Sequence, residues 1–195
     1  FSILPTSTEF SRNAFFSGLT PLEISKKLPQ FWSPEDTKSK NKFESDLLKN
    51  QLSPEKDFNY HKITNYNFGK KILSMLPNLI NKKLNFLVFN FIDILSHAKS
   101  EISFIKELTV TDSAYRSLTE SWYKNSYLSD IVKYIASKKI KIFLTTDHGT
   151  INVNNPIKVL ADKQANNNLR FKYGKNINTN DKDVFFVNNP EMINL

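Results

Sequence analysis

Leu84-Asn85-Phe86-Leu87-Val88-Phe89-Asn90-Phe91 decides the fold. Aromatic and branched side chains crowd this stretch with little alternation, the pattern of a strand covered on both faces, and we read it as a central strand. Downstream, Ser100–Lys106 and Ala114–Lys138 carry helical periodicity, with Ile131, Tyr134 and Ile135 on one face. Lys141-Ile142-Phe143-Leu144-Thr145 reads as a second buried strand, and Val184–Val187, bounded by Asn188-Asn189-Pro190, as a third. Upstream, Tyr66–Met75 reads as a helix stopped near Pro77. Pro29, Pro34 and Pro54 and many charges mark residues 28–62 as an excursion within the domain, holding one short helix around Lys42–Asn50. Glu9–Phe16 reads as a helix with Thr8 as a plausible N-cap and Gly18 and Pro21 at its end. Phe1–Leu4 resembles the end of a buried strand that stops at Pro5. Strands separated by helices predict an α/β fold, a mostly parallel central sheet with helices on both faces.

The bulk composition agrees with one domain. At 195 residues with 39% apolar and 13% aromatic content, the chain can bury a single core. Cysteine is absent, so no disulfide framework or thiolate site exists, and a transition metal must be held by His, Asp, Glu or hydroxyl oxygen. This suits a reducing cytoplasm. The net charge of +8 comes from 27 basic and 19 acidic residues. It fits an anionic partner, but the lysines are scattered rather than gathered into a stripe, so charge alone decides little. The greasiest run, Leu84–Leu95, is too short to span a bilayer and contains Asn90 and Asp93. The chain opens at Phe1 without a methionine or a signal peptide, and we expect a preceding segment.

Polar, metal-competent residues follow the predicted strands, where open α/β sheets bind ligands. Thr6-Ser7-Thr8 stands at a strand-to-helix junction, where a phosphate meets the positive end of a helix. A hydroxyl there can attack phosphorus; equally, Thr8 can serve only as a cap. Asp93 and His97 are spaced i, i+4, so one helical face carries both toward one cation, although such pairs also occur on ordinary helices. Thr145-Thr146-Asp147-His148-Gly149 presents a carboxylate and an imidazole where a buried strand ends. Elsewhere the structural readings are the better ones: Trp32 and Trp122 as core or cover, His61 as a packed histidine, Arg116 and Glu120 as a helical pair.

These stretches resemble a known family. Ser2-Ile3-Leu4-Pro5-Thr6-Ser7-Thr8, Arg12-Asn13-Ala14 and Gly18-Leu19-Thr20-Pro21 are joined by Asp93-Ile94-Leu95-Ser96-His97-Ala98, Ala114-Tyr115-Arg116-Ser117-Leu118-Thr119, Asp147-His148-Gly149 and Asn168-Leu169-Arg170-Phe171-Lys172-Tyr173-Gly174. Together they resemble the alkaline phosphatase superfamily in its PglZ branch, and more narrowly the output domain of PorX-type response regulators of Bacteroidota. The resemblance implies a phosphodiesterase or phosphatase with two zinc ions and Thr8 as the nucleophile, Thr6 being the fallback. One zinc is then held by Asp147, His148, the Thr8 oxygen and a first-strand Asp that belongs before Phe1; the other by Asp93 and His97 with a third ligand. That third ligand is usually a late His. No His follows His148, and Asp162 is the substitute candidate. Arg12 and Asn13, then Arg170 and Lys172, are the candidates to neutralise phosphoryl oxygens. The implied partners are a phosphoester, possible nucleotide or oligonucleotide substrates among them, with an upstream receiver domain, a sensor kinase, a link to type IX secretion, and room for a homodimer. A catalytically silent scaffold that binds a nucleotide or protein, and a metal-dependent mutase, are the competing readings.

Overall fold

The computed structural model describes residues 3–32, 41–52, 56–150, 153, 155–163, 165 and 170–195. They fall into two compact units, Phe1–Gln51 with Thr146–Leu195, and Leu52–Thr145. Phe1 and Ser2, half of the short opening strand expected from the sequence, lie outside the described residues, as do Asn168 and Leu169.

In the first unit three helices carry the core: α1 (Thr8–Ser17), α2 (Pro21–Lys27) and α3 (Glu44–Gln51). Phe10, Ala14 and Ser17 recur at helical spacing and are buried, as are Phe16, Ile24, Leu47 and Leu48. Ser7, not Thr8, takes the N-cap place of α1, with extended backbone (φ −130°, ψ 156°) and no side-chain cap bond. Thr8 is therefore the first helical residue. Gly18 ends α1 with φ 68°, its N–H on the Ala14 carbonyl. The expectation that Pro21 also ends a helix is corrected. Pro21 opens α2, because a first-turn position needs no N–H. Thr20 and Glu23 close a reciprocal capping box around it. The Thr20 N–H, helped by Lys27, pulls the Glu23 carboxyl down to about 2.

The second unit is built on a parallel pair, β1 (Phe58–Ile63) and β2 (Leu84–Phe89), joined through α4 (Tyr66–Leu79). Phe58 lies opposite Leu84 and Ile63 opposite Phe89. This is a right-sized βαβ unit and makes the fold α/β with a small parallel sheet. It continues in α5 (Phe91–Glu101), α6 (Ser103–Leu108), α7 (Asp112–Lys124) and α8 (Tyr127–Ser137). Ile63, Ile72, Leu76, Leu79 and Ile131 form its core, with Leu87, Phe89, Tyr134 and Ile135 packed against them. Pro77 does not stop α4: it removes one backbone donor, yet Ile80 N–H still reaches the Leu76 carbonyl at 3.0 Å. Ala114–Lys138 is two helices, broken where Asn125 and Ser126 cap α7 and α8.

β1 was hidden in the expected excursion over residues 28–62. Conversely, Lys141–Thr145 and Val184–Val187 form no strand. Phe143 and Leu144 are 85% and 81% exposed, and Phe185 is 74% exposed. β-forming side chains become a strand only where a neighbouring edge and a covering layer receive them, and these have neither among the described residues. No helix among the described residues is long and apolar enough to cross a membrane.

Candidate functional site

Within the first unit, α1 and the Asp147-His148 loop meet through side chains. Thr8, freed from capping, places Oγ1 2.9 Å from Nε2 of His148. The other ring nitrogen, Nδ1, lies 3.2 Å from the Gly149 carbonyl. A carbonyl only accepts, so in the neutral ring the proton sits on Nδ1 and the Nε2 lone pair faces Thr8, whose hydroxyl donates to it. Thr146 adds a bond from its Oγ1 to the His148 carbonyl at 2.7 Å.

One turn along α1, Arg12 repeats the attachment. Its Nε and Nη2 both approach Oδ2 of Asp147 at 3.1 Å. Its Nη1 lies 3.5 Å from Oε1 of Glu44, whose side chain is 1% exposed. Consecutive loop residues, Asp147 and His148, are thus docked on α1 positions one turn apart. Asn41 secures the start of the helix by donating to the Thr8 carbonyl at 3.0 Å. Arg170 reaches the turn before α1 and donates to the Thr6 carbonyl at 2.9 Å.

The other candidates are placed differently. Asn13 is buried, donates to the Glu9 carbonyl at 3.0 Å and faces Asn41, so it braces the helix. Lys172 is half-buried between Phe171 and Tyr173, whose rings stack 6.1 Å apart. Asp162 is exposed and accepts from Asn176 at 2.8 Å. Asp93 and His97 lie in the second unit, one turn apart on α5, with Oδ1 and Nε2 3.6 Å apart. Nearby, burial pushes the Tyr115 hydroxyl up, and the charge of Asp93 adds to it. Among the described residues no group of three or more His, Asp or Glu side chains gathers at one point.

The sequence alone does not single out Glu44 and Asn41 as part of this arrangement. Both sit in the charged, Pro-rich excursion, where a carboxylate reads as solvated. A signal was present: Glu44 stands three and four residues before Leu47 and Leu48, on the apolar face of α3.

Zinc binds imidazole nitrogen and carboxylate oxygen, and ligating histidines commonly donate their second nitrogen to a backbone carbonyl. His148 has that arrangement at Nδ1, while its Nε2 lone pair accepts from the Thr8 hydroxyl and would face an ion only once that proton has left. Arg12 fixes the Asp147 carboxylate through one oxygen. One imidazole and one carboxylate beside a hydroxyl are donor types that suit zinc, and among the described residues no third His, Asp or Glu joins them at metal-binding spacing.

The sequence matches the family model of the BREX system PglZ alkaline phosphatase-like domain over residues 1–194. No curated protein matches it. With the match running along nearly the entire chain and an α/β fold to accompany it, the protein belongs to the PglZ alkaline-phosphatase-like family.

Proposed function

We propose that this domain is a zinc-dependent phosphoester hydrolase that uses Thr8 as its nucleophile. The observation that carries the reading is the 2.9 Å approach of Thr8 Oγ1 to His148 Nε2 across 140 residues of sequence. A threonine that merely opens a helix has no need of an imidazole. In-line displacement requires an oxygen with a defined direction of attack and a means of losing its proton; the oxygen–phosphorus bond forms as the ester oxygen leaves, and water then releases the phosphoryl group from the threonine. Thr8 has the first from its place at the start of α1, and the Nε2 lone pair lies on its hydroxyl. The start of the helix favours an incoming phosphoryl dianion, since the Ser7 side chain makes no bond to the first N–H groups of α1. Arg170, bound to the Thr6 carbonyl, brings a guanidinium to the same turn. A zinc ion held by Asp147, His148 and the Thr8 oxygen would take the place of the hydroxyl proton at Nε2, and it would supply Lewis acidity that favours the deprotonated hydroxyl and offsets charge on the phosphoryl oxygens. Asp93 and His97, sharing one face of α5, are the proposed start of a second ion site.

Hydrolysis of a chromogenic phosphodiester and monoester, with and without zinc, tests this. Thr8→Ala should abolish turnover, Thr8→Ser should keep part of it, and Thr6→Ala should leave it. Loss in Thr6→Ala with retention in Thr8→Ala would move the nucleophile to Thr6. A zinc-loaded protein with no turnover on either ester would favour a binding scaffold. The finer placement, as the output domain of a PorX-type response regulator acting on nucleotide phosphoesters, is supported by sequence resemblance. It predicts that turnover in the full-length protein responds to phosphorylation of an attached receiver.

A further inference from the structure

We propose that Arg12 is a positioning residue, clamped by Glu44, that sets the Asp147-His148 pair against Thr8 and does not itself bind the phosphoryl group. The catalytic part of the proposal rests on the phosphoester reading above.

A guanidinium that neutralises substrate oxygens must present its fork to the crevice. Here two of the three nitrogens of Arg12 converge on one oxygen of Asp147, and the third faces Glu44. The Arg12 side chain is 9% exposed and that of Glu44 only 1%. A carboxylate so enclosed is retained only with a cation held against it, and α3 carries Glu44 to that place beside Leu47 and Leu48. Thr8 and Arg12 are four residues apart on α1, and their partners are adjacent in the loop. Holding Asp147 therefore limits where His148 can put its ring. The chain of support runs from Glu44 to Arg12, from Arg12 to Asp147, and through one peptide unit to the imidazole that receives the Thr8 hydroxyl.

The test joins a spectroscopic readout to kinetics. Long-range proton–nitrogen spectra of the metal-free chain report the imidazoles of its three histidines, with His148→Gln assigning the resonance of interest. Thr8→Val defines the His148 spectrum when the hydroxyl is absent. Arg12→Met should move His148 toward the Thr8→Val position and lower kcat about a hundredfold, the scale of a misplacement near one ångström, with KM held. Glu44→Gln, which keeps the shape and removes the charge, should shift His148 in the same direction to a smaller extent. Arg12→Lys, which keeps the charge and loses the fork, should resemble Arg12→Met more than the wild type. A raised KM with kcat and the His148 resonance unchanged in Arg12→Met would overturn the proposal and return Arg12 to the substrate. If circular dichroism shows Arg12→Met unfolded, Glu44→Gln decides: an unmoved His148 resonance overturns the clamp. If the wild type turns over no phosphoester, the hydrolase reading fails by itself, and the His148 spectra still decide the positioning role.

Discussion

At the scale of single residues, exchange of one duty explains much of the site. Thr8 had the look of a helix cap, and Ser7 fills that place instead, leaving the Thr8 hydroxyl for His148. Thr8, Asp147 and His148 are legible because they stand where apolar runs end and because histidine is scarce in this chain. Glu44 was not, because a carboxylate among many charges carries no mark of its burial. Removing one member of a buried ion pair costs about 3–5 kcal/mol. Glu44→Ala should fall toward the lower figure, since Asp147 still faces the guanidinium, and urea unfolding of the variant measures it. His61 offers a pH test. Burial first, and Lys71 second, hold it below its ordinary pKa, and its Nε2 is enclosed without a hydrogen-bond partner. The unfolded chain then binds a proton at a higher pH than the folded one. Stability contributed by neutral His61 is present above the unfolded value of about 6.5 and declines as pH falls toward the folded value. His61→Phe should flatten that decline between pH 7 and 5 in thermal melts, and an unchanged slope would show that other groups govern it.

At the scale of elements, helices were read more truly than strands. Helical periodicity is written locally, as in α1 and α4, whereas a strand exists only with its neighbour. Phe58–Ile63 looked like part of an excursion because His61 and Lys62 interrupt its alternation, and its pairing with Leu84–Phe89 is invisible from either segment alone. Lys141–Thr145 has better strand composition and forms none. Capping was the other blind spot, for Thr20-Pro21-Leu22-Glu23 is a helix start that Pro21 disguised as a stop. Thr20→Ala should cost about 1 kcal/mol, the usual loss of an N-cap, visible as a lowered denaturation midpoint. Gly69 tests the packing of α4. A Cβ there would come within 3.0 Å of Cδ2 of Tyr127 on α8. Gly69→Val should destabilise by about 1–3 kcal/mol, as overpacked cores do, and a chemical melt matching the wild type would contradict so close an approach.

At the scale of the whole molecule, stability is unevenly spread. Backbone bonds and buried apolar groups concentrate in α1–α3 and in the sheet with α4 and α8, whereas residues 141–146 are exposed throughout. Amide hydrogen exchange should register 141–146 among the earliest and Ile72–Leu76 among the latest. Equal protection of the two stretches would contradict this ordering. The PglZ match extends across both units, so the family pattern was visible in short motifs even where the sheet was not. One consequence follows from the docking of the loop on α1. Because neighbouring loop residues are gauged against helix positions four apart, the helical pitch acts as a ruler for the reacting groups. Adding a single residue between Ser11 and Arg12 would rotate the guanidinium by about 100° about the axis relative to the threonine, so the number of residues between them is as tightly bound as their identity.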